Sequence, residues 1–222
     1  MTLTPFPTRI GILGGSFDPI HLGHLRSAEE VAEALGLDRV EFVPAHQPPH
    51  KPDRRLADDR DRLTMVELAI ADNPRFRAST VEIDRQGVSY SVDTLEAFRA
   101  RESDASLFFI LGIDAFRDMH TWKDTERIVE LASVVVTSRP PLAVEPSIEH
   151  LPVAARDAFC YDPTTLSYRH RTGTTLSFLP ITGIDVSATV IRERVRLGRS
   201  IRYLVPPSVE RYVREHGLYR IA

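Results

Sequence analysis

The stretch GGSFDPIHLGH, Gly14 to His24, holds residue types suited to phosphate chemistry. Gly14 and Gly15 carry no β-carbon, so a phosphate can approach the backbone closely. Ser16 and Phe17 continue the turn. His21 and His24 stand three apart at an expected helix start, which puts both rings on one face. Gly23 between them leaves room for a ligand. The helix N-terminus adds free N–H groups and a partial positive charge. After the first strand there is neither a G-x-x-x-x-G-K-[ST] loop nor a G-x-G-x-x-G turn, so the two common phosphate motifs are absent. A zinc site is the rival for a His-x-x-His pair, and it would need a further ligand such as His46 or His50. Two plain surface histidines are the other alternative, which the glycine-rich strand–helix turn disfavours.

The elements that must position this loop follow from hydrophobic spacing. Arg9–Leu13 reads as a buried strand. Leu25, Ala28, Val31, Ala32 and Leu35 recur at helical spacing before Gly36, a plausible helix stop. Arg39–Pro44 is a second strand, completing a βαβ unit with parallel strands. Ala45–Asp58, rich in Pro and His, should be a loop, and Asp59–Ala71 an amphipathic helix. Ser79–Ile83 is expected as a strand and Ser91–Arg101 as a helix. Leu107–Leu111 is a strand, Asp124–Ala132 a helix and Ser133–Thr137 a strand. Pro140–Thr174 has little periodicity and is expected to hold loops and one short helix. Leu176–Ile181 is the last strand. Ser187–Leu197 and Pro206–Glu215 are closing helices, the second followed by Gly217 at its C′ position. The class is α/β, a Rossmann-like doubly wound parallel sheet with C-terminal helices.

The chain has 222 residues, within the ~100–200-residue habit of one domain. It is expected to be one domain over 1–222, with a short N-terminal extension (1–8) and a closing helical region (186–222). Net charge is −3, which argues against a protein whose main work is gripping nucleic acid. The one cysteine, Cys160, makes an internal disulfide impossible and is expected to be a small half-buried hydrophobe. No apolar run is long enough for a membrane span. The N-terminus is too polar for a secretory signal. A cytoplasmic location is expected.

The register of the Gly pair, Phe17, Pro19, His21 and His24 resembles the signature of the HxGH nucleotidylyltransferase superfamily. Its second motif, Ser-x-Thr-x-x-Arg, resembles Ser187-Ala188-Thr189-Val190-Ile191-Arg192. Ser187 can cap a helix, and the fork of Arg192 suits phosphate oxygens. The resemblance implies in-line attack by a phosphate monoester on the α-phosphorus of ATP. His21 and His24 would contact the phosphates, His24 nearest the reacting one, and Arg192 would hold the leaving pyrophosphate. Gly14, Gly15, Ser16, Phe17, Asp114, Ser187 and Thr189 would complete the ATP site. Mg²⁺ should arrive with the nucleotide, with no dedicated protein ligand.

Further segments resemble bacterial nicotinate-mononucleotide adenylyltransferases. These are Pro44–Lys51 (PAHQPPHK), Ser89–Leu95 (SYSVDTL), Gly112–Phe116 (GIDAF) followed by Trp122, Ser138-Arg139-Pro140, and the ending Gly217-Leu218-Tyr219. By this resemblance ATP and nicotinate mononucleotide are the substrates. Trp122 would stack on the pyridine ring, Ser91 at a helix start would face the carboxylate, and Asp114 would meet a ribose hydroxyl. Lys51 and Arg139 would border the acceptor. Lys123 stands where relatives often have an aromatic residue. The rivals are relatives that use phosphopantetheine or FMN as acceptor, and a module that binds ATP without turning it over.

Overall fold

The computed structural model describes residues 7–49, 56–138 and 147–220. Its first strand, β1 (Arg9–Gly15), is apolar on both faces and lies mid-sheet. After it come α1 (Leu22–Leu35), β2 (Arg39–Pro44), α2 (Asp59–Ile70) and β3 (Phe76–Ala78), moving outward on one side of β1. Gly36 ends α1 at φ 57°, in the left-handed region that favours glycine. The chain then returns through α3 (Val81–Arg85) and α4 (Ser91–Arg101) to β4 (Ser106–Gly112), on the other side of β1. The strand order therefore reverses between β1 and β4, where open α/β sheets bind ligands at the strands' carboxyl ends.

From β4 the chain runs through α5 (Ile113–Arg117), a 3₁₀ turn (Met119–Thr121), α6 (Thr125–Leu131) and β5 (Ser133–Ser138). It continues with α7 (Val153–Arg156), β6 (Phe159–Asp162), β7 (Ser167–His170), β8 (Thr175–Pro180), α8 (Ala188–Arg196) and α9 (Pro207–Glu215). The sheet order is β3-β2-β1-β4-β5-β8-β7-β6. Strands β3 to β8 of that order are parallel; β7 and β6 run antiparallel at the edge. This is the expected α/β Rossmann-like class. Strand alternation divides the core. Ile10, Ile12, Phe109, Leu111, Val134 and Val136 pack under α4 to α6. Leu13, Phe108, Ile110 and Val135 pack against α1, α2, α8 and α9. No helix among the described residues is long and apolar enough to cross a membrane.

Three expectations are corrected. Ser79–Ile83 is not a strand: β3 ends at Ala78, and Val81–Arg85 is helical. The Asp84 N–H donates to the Thr80 carbonyl and the Thr80 hydroxyl to the Asp84 carboxylate, closing a helical turn where Val81 and Ile83 had read as strand alternation. Residues 140–174 are expected to hold loops with a short helix, and 140–146 lie outside the described residues. The helix is α7, but β6 and β7 form a hairpin as well. An Asx turn begins its reversal, with the Thr164 N–H donating to Asp162 at 2.9 Å. Cys160 lies exposed on this edge strand rather than half-buried.

Candidate active site

A cleft of about 730 Å³ opens at the carboxyl ends of β1, β4 and β5. One wall is the segment Ser16–His24, the other the run from Ile181 to Arg192, and Leu13, Gly112 and Thr137 form the floor. The N-termini of α1 and α8 both open into it. Two helix ends therefore bring positive partial charge to one space.

His21 is the N-cap of α1 and is buried; His24 sits at the third helical position. Their rings stack with centroids 3.7 Å apart and planes 17° apart. The backbone N–H of His21 donates to Nδ1 of His24 at 3.3 Å. With Nδ1 used as an acceptor, the ring proton of His24 sits on Nε2, the donor a phosphate oxygen needs. Phe17 meets His24 edge-on, centroids 5.1 Å apart. Phe17 itself has φ 45°, an uncommon conformation for a bulky residue that turns the loop under the histidines. Gly23 is tightly packed: a β-carbon there would lie 3.1 Å from both Nδ1 of His21 and Cγ1 of Val186, so a neighbour would have to give way.

Across the cleft, Ser187 caps α8 by accepting the Val190 N–H at 3.3 Å. Arg192 donates through Nη2 to the Thr189 hydroxyl at 3.0 Å and through Nη1 to the backbone carbonyl of Asp18. Nη1 also lies 3.5 Å from the Asp18 carboxylate. The two ends of the chain thus meet in one cleft. Ser16, Phe17, Asp114, Ser187, Thr189 and Arg192 line it together with both histidines. Gly15 lines it as well, whereas Gly14 is exposed and turns to the opposite side of the sheet.

The residues assigned to the acceptor are not among those lining this cleft. Ser91 is the first residue of α4. Trp122 is half-buried, edge-on to Phe109 with centroids 6.2 Å apart, and borders a second hollow beside α4 and α6. Lys123 pairs with Asp93 at 3.1 Å and lies over the Tyr90 ring at 4.7 Å. Lys51, His50 and Arg139 lie outside the described residues. His46, in the expected 45–58 loop, contacts Asp59 through Nδ1. Its backbone N–H and that of Gln47 both donate to the Ser89 hydroxyl, at 2.9 and 3.3 Å. The first serine of SYS is therefore a strut for that loop.

Three polar residues support the cleft in roles that the sequence alone does not assign. Arg62 is 1 % exposed, yet on an amphipathic helix it reads as an ordinary surface arginine. Its guanidinium donates to the carbonyls of Ser16 (2.8 Å) and Ala57 (3.0 Å) and to the Asp59 carboxylate. Asp18, equally buried, sits inside the GGSFDP motif, but its partners come from distant segments. Tyr219 donates its hydroxyl to Asp18 at 2.8 Å. Burial first, then the Asp18 charge, raise the Tyr219 pKa far above its usual value, so the phenol stays a neutral donor.

Comparison with known proteins places this cleft in a family. The cytidylyltransferase-like family model matches residues 12–194. A protein of Syntrophotalea carbinolica named "Probable nicotinate-nucleotide adenylyltransferase" is 47 % identical over 212 residues, covering 96 % of this chain and 97 % of that one. One of Citrifermentans bemidjiense with the same name is 48 % identical over 211 residues, covering 95 % and 98 %. The solved structure of "Plasmodium falciparum nicotinic acid mononucleotide adenylyltransferase complexed with NaAD" shares the fold, with a TM-score of 0.73 at 16 % identity over 96 % of this chain and 97 % of that one. The chain belongs to the cytidylyltransferase-like family and, within it, to the nicotinate-nucleotide adenylyltransferases.

Proposed function

We propose that this cleft transfers AMP from ATP to nicotinate mononucleotide, giving nicotinate adenine dinucleotide and pyrophosphate, a step of NAD biosynthesis. The observation that carries the reading is the stacked His21–His24 pair on one helix N-terminus, facing Arg192 on another. The triphosphate would lie between the two helix ends, where N–H groups, imidazole and guanidinium converge. Asp114, on the cleft wall at the start of α5, would accept from a ribose hydroxyl.

The attacking oxygen belongs to the phosphate monoester of nicotinate mononucleotide. With a second pKa of ~6 it is mostly a dianion at neutral pH, so no general base is required. Its bond to the α-phosphorus forms as the bond to the bridging oxygen breaks, and pyrophosphate leaves with the electron pair. His24 Nε2–H would stabilise charge on the α-phosphate and Arg192 the charge on the leaving group. Acceptor orientation would fall to Ser91 and Trp122, with Lys51 and Arg139 bordering it.

Mg²⁺ would enter with ATP. Among the described residues no group of three or more His, Cys, Asp or Glu side chains is placed to hold a metal. The cleft carboxylates Asp18, Asp114 and Asp185 come from separate elements. Such a donor set fits a cation carried on phosphate oxygens and waters. When bound, it would neutralise charge on the triphosphate.

Direct displacement is testable by stereochemistry. With ATP made chiral by sulfur at the α-phosphorus, one in-line attack inverts the configuration. Retention would show a covalent adenylyl-enzyme and contradict the reading.

A further inference from the structure

The buried contacts of Asp18 join parts of the chain that the reaction alone does not require to meet. Its Oδ1 accepts from the Tyr219 hydroxyl at 2.8 Å and from the Ala57 N–H at 3.2 Å. Its backbone carbonyl accepts from Arg192, whose Nη1 also stands 3.5 Å from Oδ2. A carboxylate only 1 % exposed holds its place when its oxygens are hydrogen-bonded, and the phenol is one of two hydrogen-bond donors on Oδ1.

The tail that delivers this phenol is itself anchored. Tyr212 of α9 donates to Asp61 of α2 at 2.8 Å, and Ser208 donates to the Leu68 carbonyl at 2.9 Å. Gly217 (φ 62°) ends the helix, the Leu218 N–H returns to the Val213 carbonyl, and Tyr219 (φ 64°) turns the ring inward. On the far side, Arg62 of α2 holds Ser16 and Ala57. Helix α2 therefore grips both the phosphate loop and the tail that reaches into it.

We propose that Tyr219 is a positioning residue: through Asp18 it fixes the anchor of Arg192, so the C-terminal tail sets the site for the leaving pyrophosphate. Asp18 acts as the relay, and the acceptor does not feel it. The inference rests on the reading of Arg192 given under the proposed function.

The test uses the full chain and the Tyr219→Phe variant, which deletes one oxygen. Pyrophosphate binding by calorimetry needs no acceptor and no turnover, so it reads the clamp separately from the reaction. If wild-type protein binds ATP but forms no dinucleotide, the functional reading fails, whatever calorimetry shows for the clamp. The expected result for Tyr219→Phe is pyrophosphate affinity about tenfold weaker, a raised KM for ATP and an unchanged KM for nicotinate mononucleotide. A double-mutant cycle with Arg192→Lys separates positioning from general loosening. In the Arg192→Lys background, Tyr219→Phe should change pyrophosphate affinity by less than twofold. Unchanged pyrophosphate affinity in a folded Tyr219→Phe protein overturns the proposal, and so does a loss equally large in both backgrounds. If Tyr219→Phe does not fold, Asp18→Asn takes its place in the same cycle with the same two criteria.

Discussion

Placing alanine at Gly23 tests whether the packing of the histidine pair sets its chemistry. The new β-carbon would stand 3.1 Å from Nδ1 of His21, 3.2 Å from its Cε1 and 3.1 Å from Cγ1 of Val186. Each contact must open by a few tenths of an ångström. Val186 and His21 both line the cleft and are equally buried, so the valine and the imidazole share the displacement. Overpacking of this kind costs ~1–3 kcal/mol. Replacing glycine by alanine inside a helix returns about 1 kcal/mol. The net stability loss should thus stay within about 2 kcal/mol, a Tm shift below about 8 °C at this chain length. Activity should suffer more. A ~1 Å misplacement at a reacting centre can cost ~10²-fold; a shift of a few tenths, passed through the 3.7 Å stack to His24, should lower kcat on the order of tenfold. Steady-state pyrophosphate release and calorimetric unfolding on the same preparation measure both. Wild-type kcat in a folded Gly23→Ala protein would refute the argument that this packing holds the reactive geometry.

Other perturbations reach the supports of the site. Arg62→Met leaves the Asp59 carboxylate and the Ser16 and Ala57 carbonyls without their buried partner. Asp59 is a quarter exposed and keeps its contact with His46, so the loss should be about 1–3 kcal/mol in urea unfolding, and no measurable loss would contradict the network. His170 is 3 % exposed, and burial, then the Arg171 charge, hold its pKa below the ordinary histidine value of about 6.5. The folded state thus favours neutral imidazole, so this contribution is present above pH 6.5 and is lost as pH falls through the lowered folded pKa. Unfolding measured across pH 5–8 should show that decline in wild type and a weaker one in His170→Gln; identical slopes would contradict it. Ser89→Ala removes the acceptor of two loop N–H groups and should cost about 1–3 kcal/mol, with faster amide exchange at His46 and Gln47 as the local readout.

What the sequence made legible has a physical basis. The buried strands β1, β2, β4 and β5 are unbroken apolar runs, and Gly36 and Gly217 mark helix ends by a conformation other residues adopt at a cost. Both triphosphate motifs were visible because each sits at a helix start, where local sequence decides geometry. The hairpin β6–β7 was not visible, because β6 lies at the sheet edge and shows no clean inward–outward alternation. Val81–Arg85 was misread because five residues carry too little periodicity to separate a strand from one helical turn. The Arg62–Asp18–Tyr219 supports were hidden for a different reason: their partners lie 46, 174 and 201 residues away along the chain. Burial of a charged side chain is a tertiary fact. How Ser91 and Trp122 sit relative to the main cleft likewise depends on how α4 and the 3₁₀ turn pack, which no local pattern encodes.

The most direct test of the central claim is pyrophosphate release with ATP and Mg²⁺, offering nicotinate mononucleotide, its amide analogue or phosphopantetheine as acceptor, with His24→Ala as control. Strong preference for the nicotinate form is expected, with a fall in kcat of ~10²–10³ in the control, as for removal of one charge-stabilising donor. Turnover of phosphopantetheine alone would contradict the acceptor assignment while sparing the phosphate site. ATP binding with no turnover of any acceptor would contradict the account at its centre.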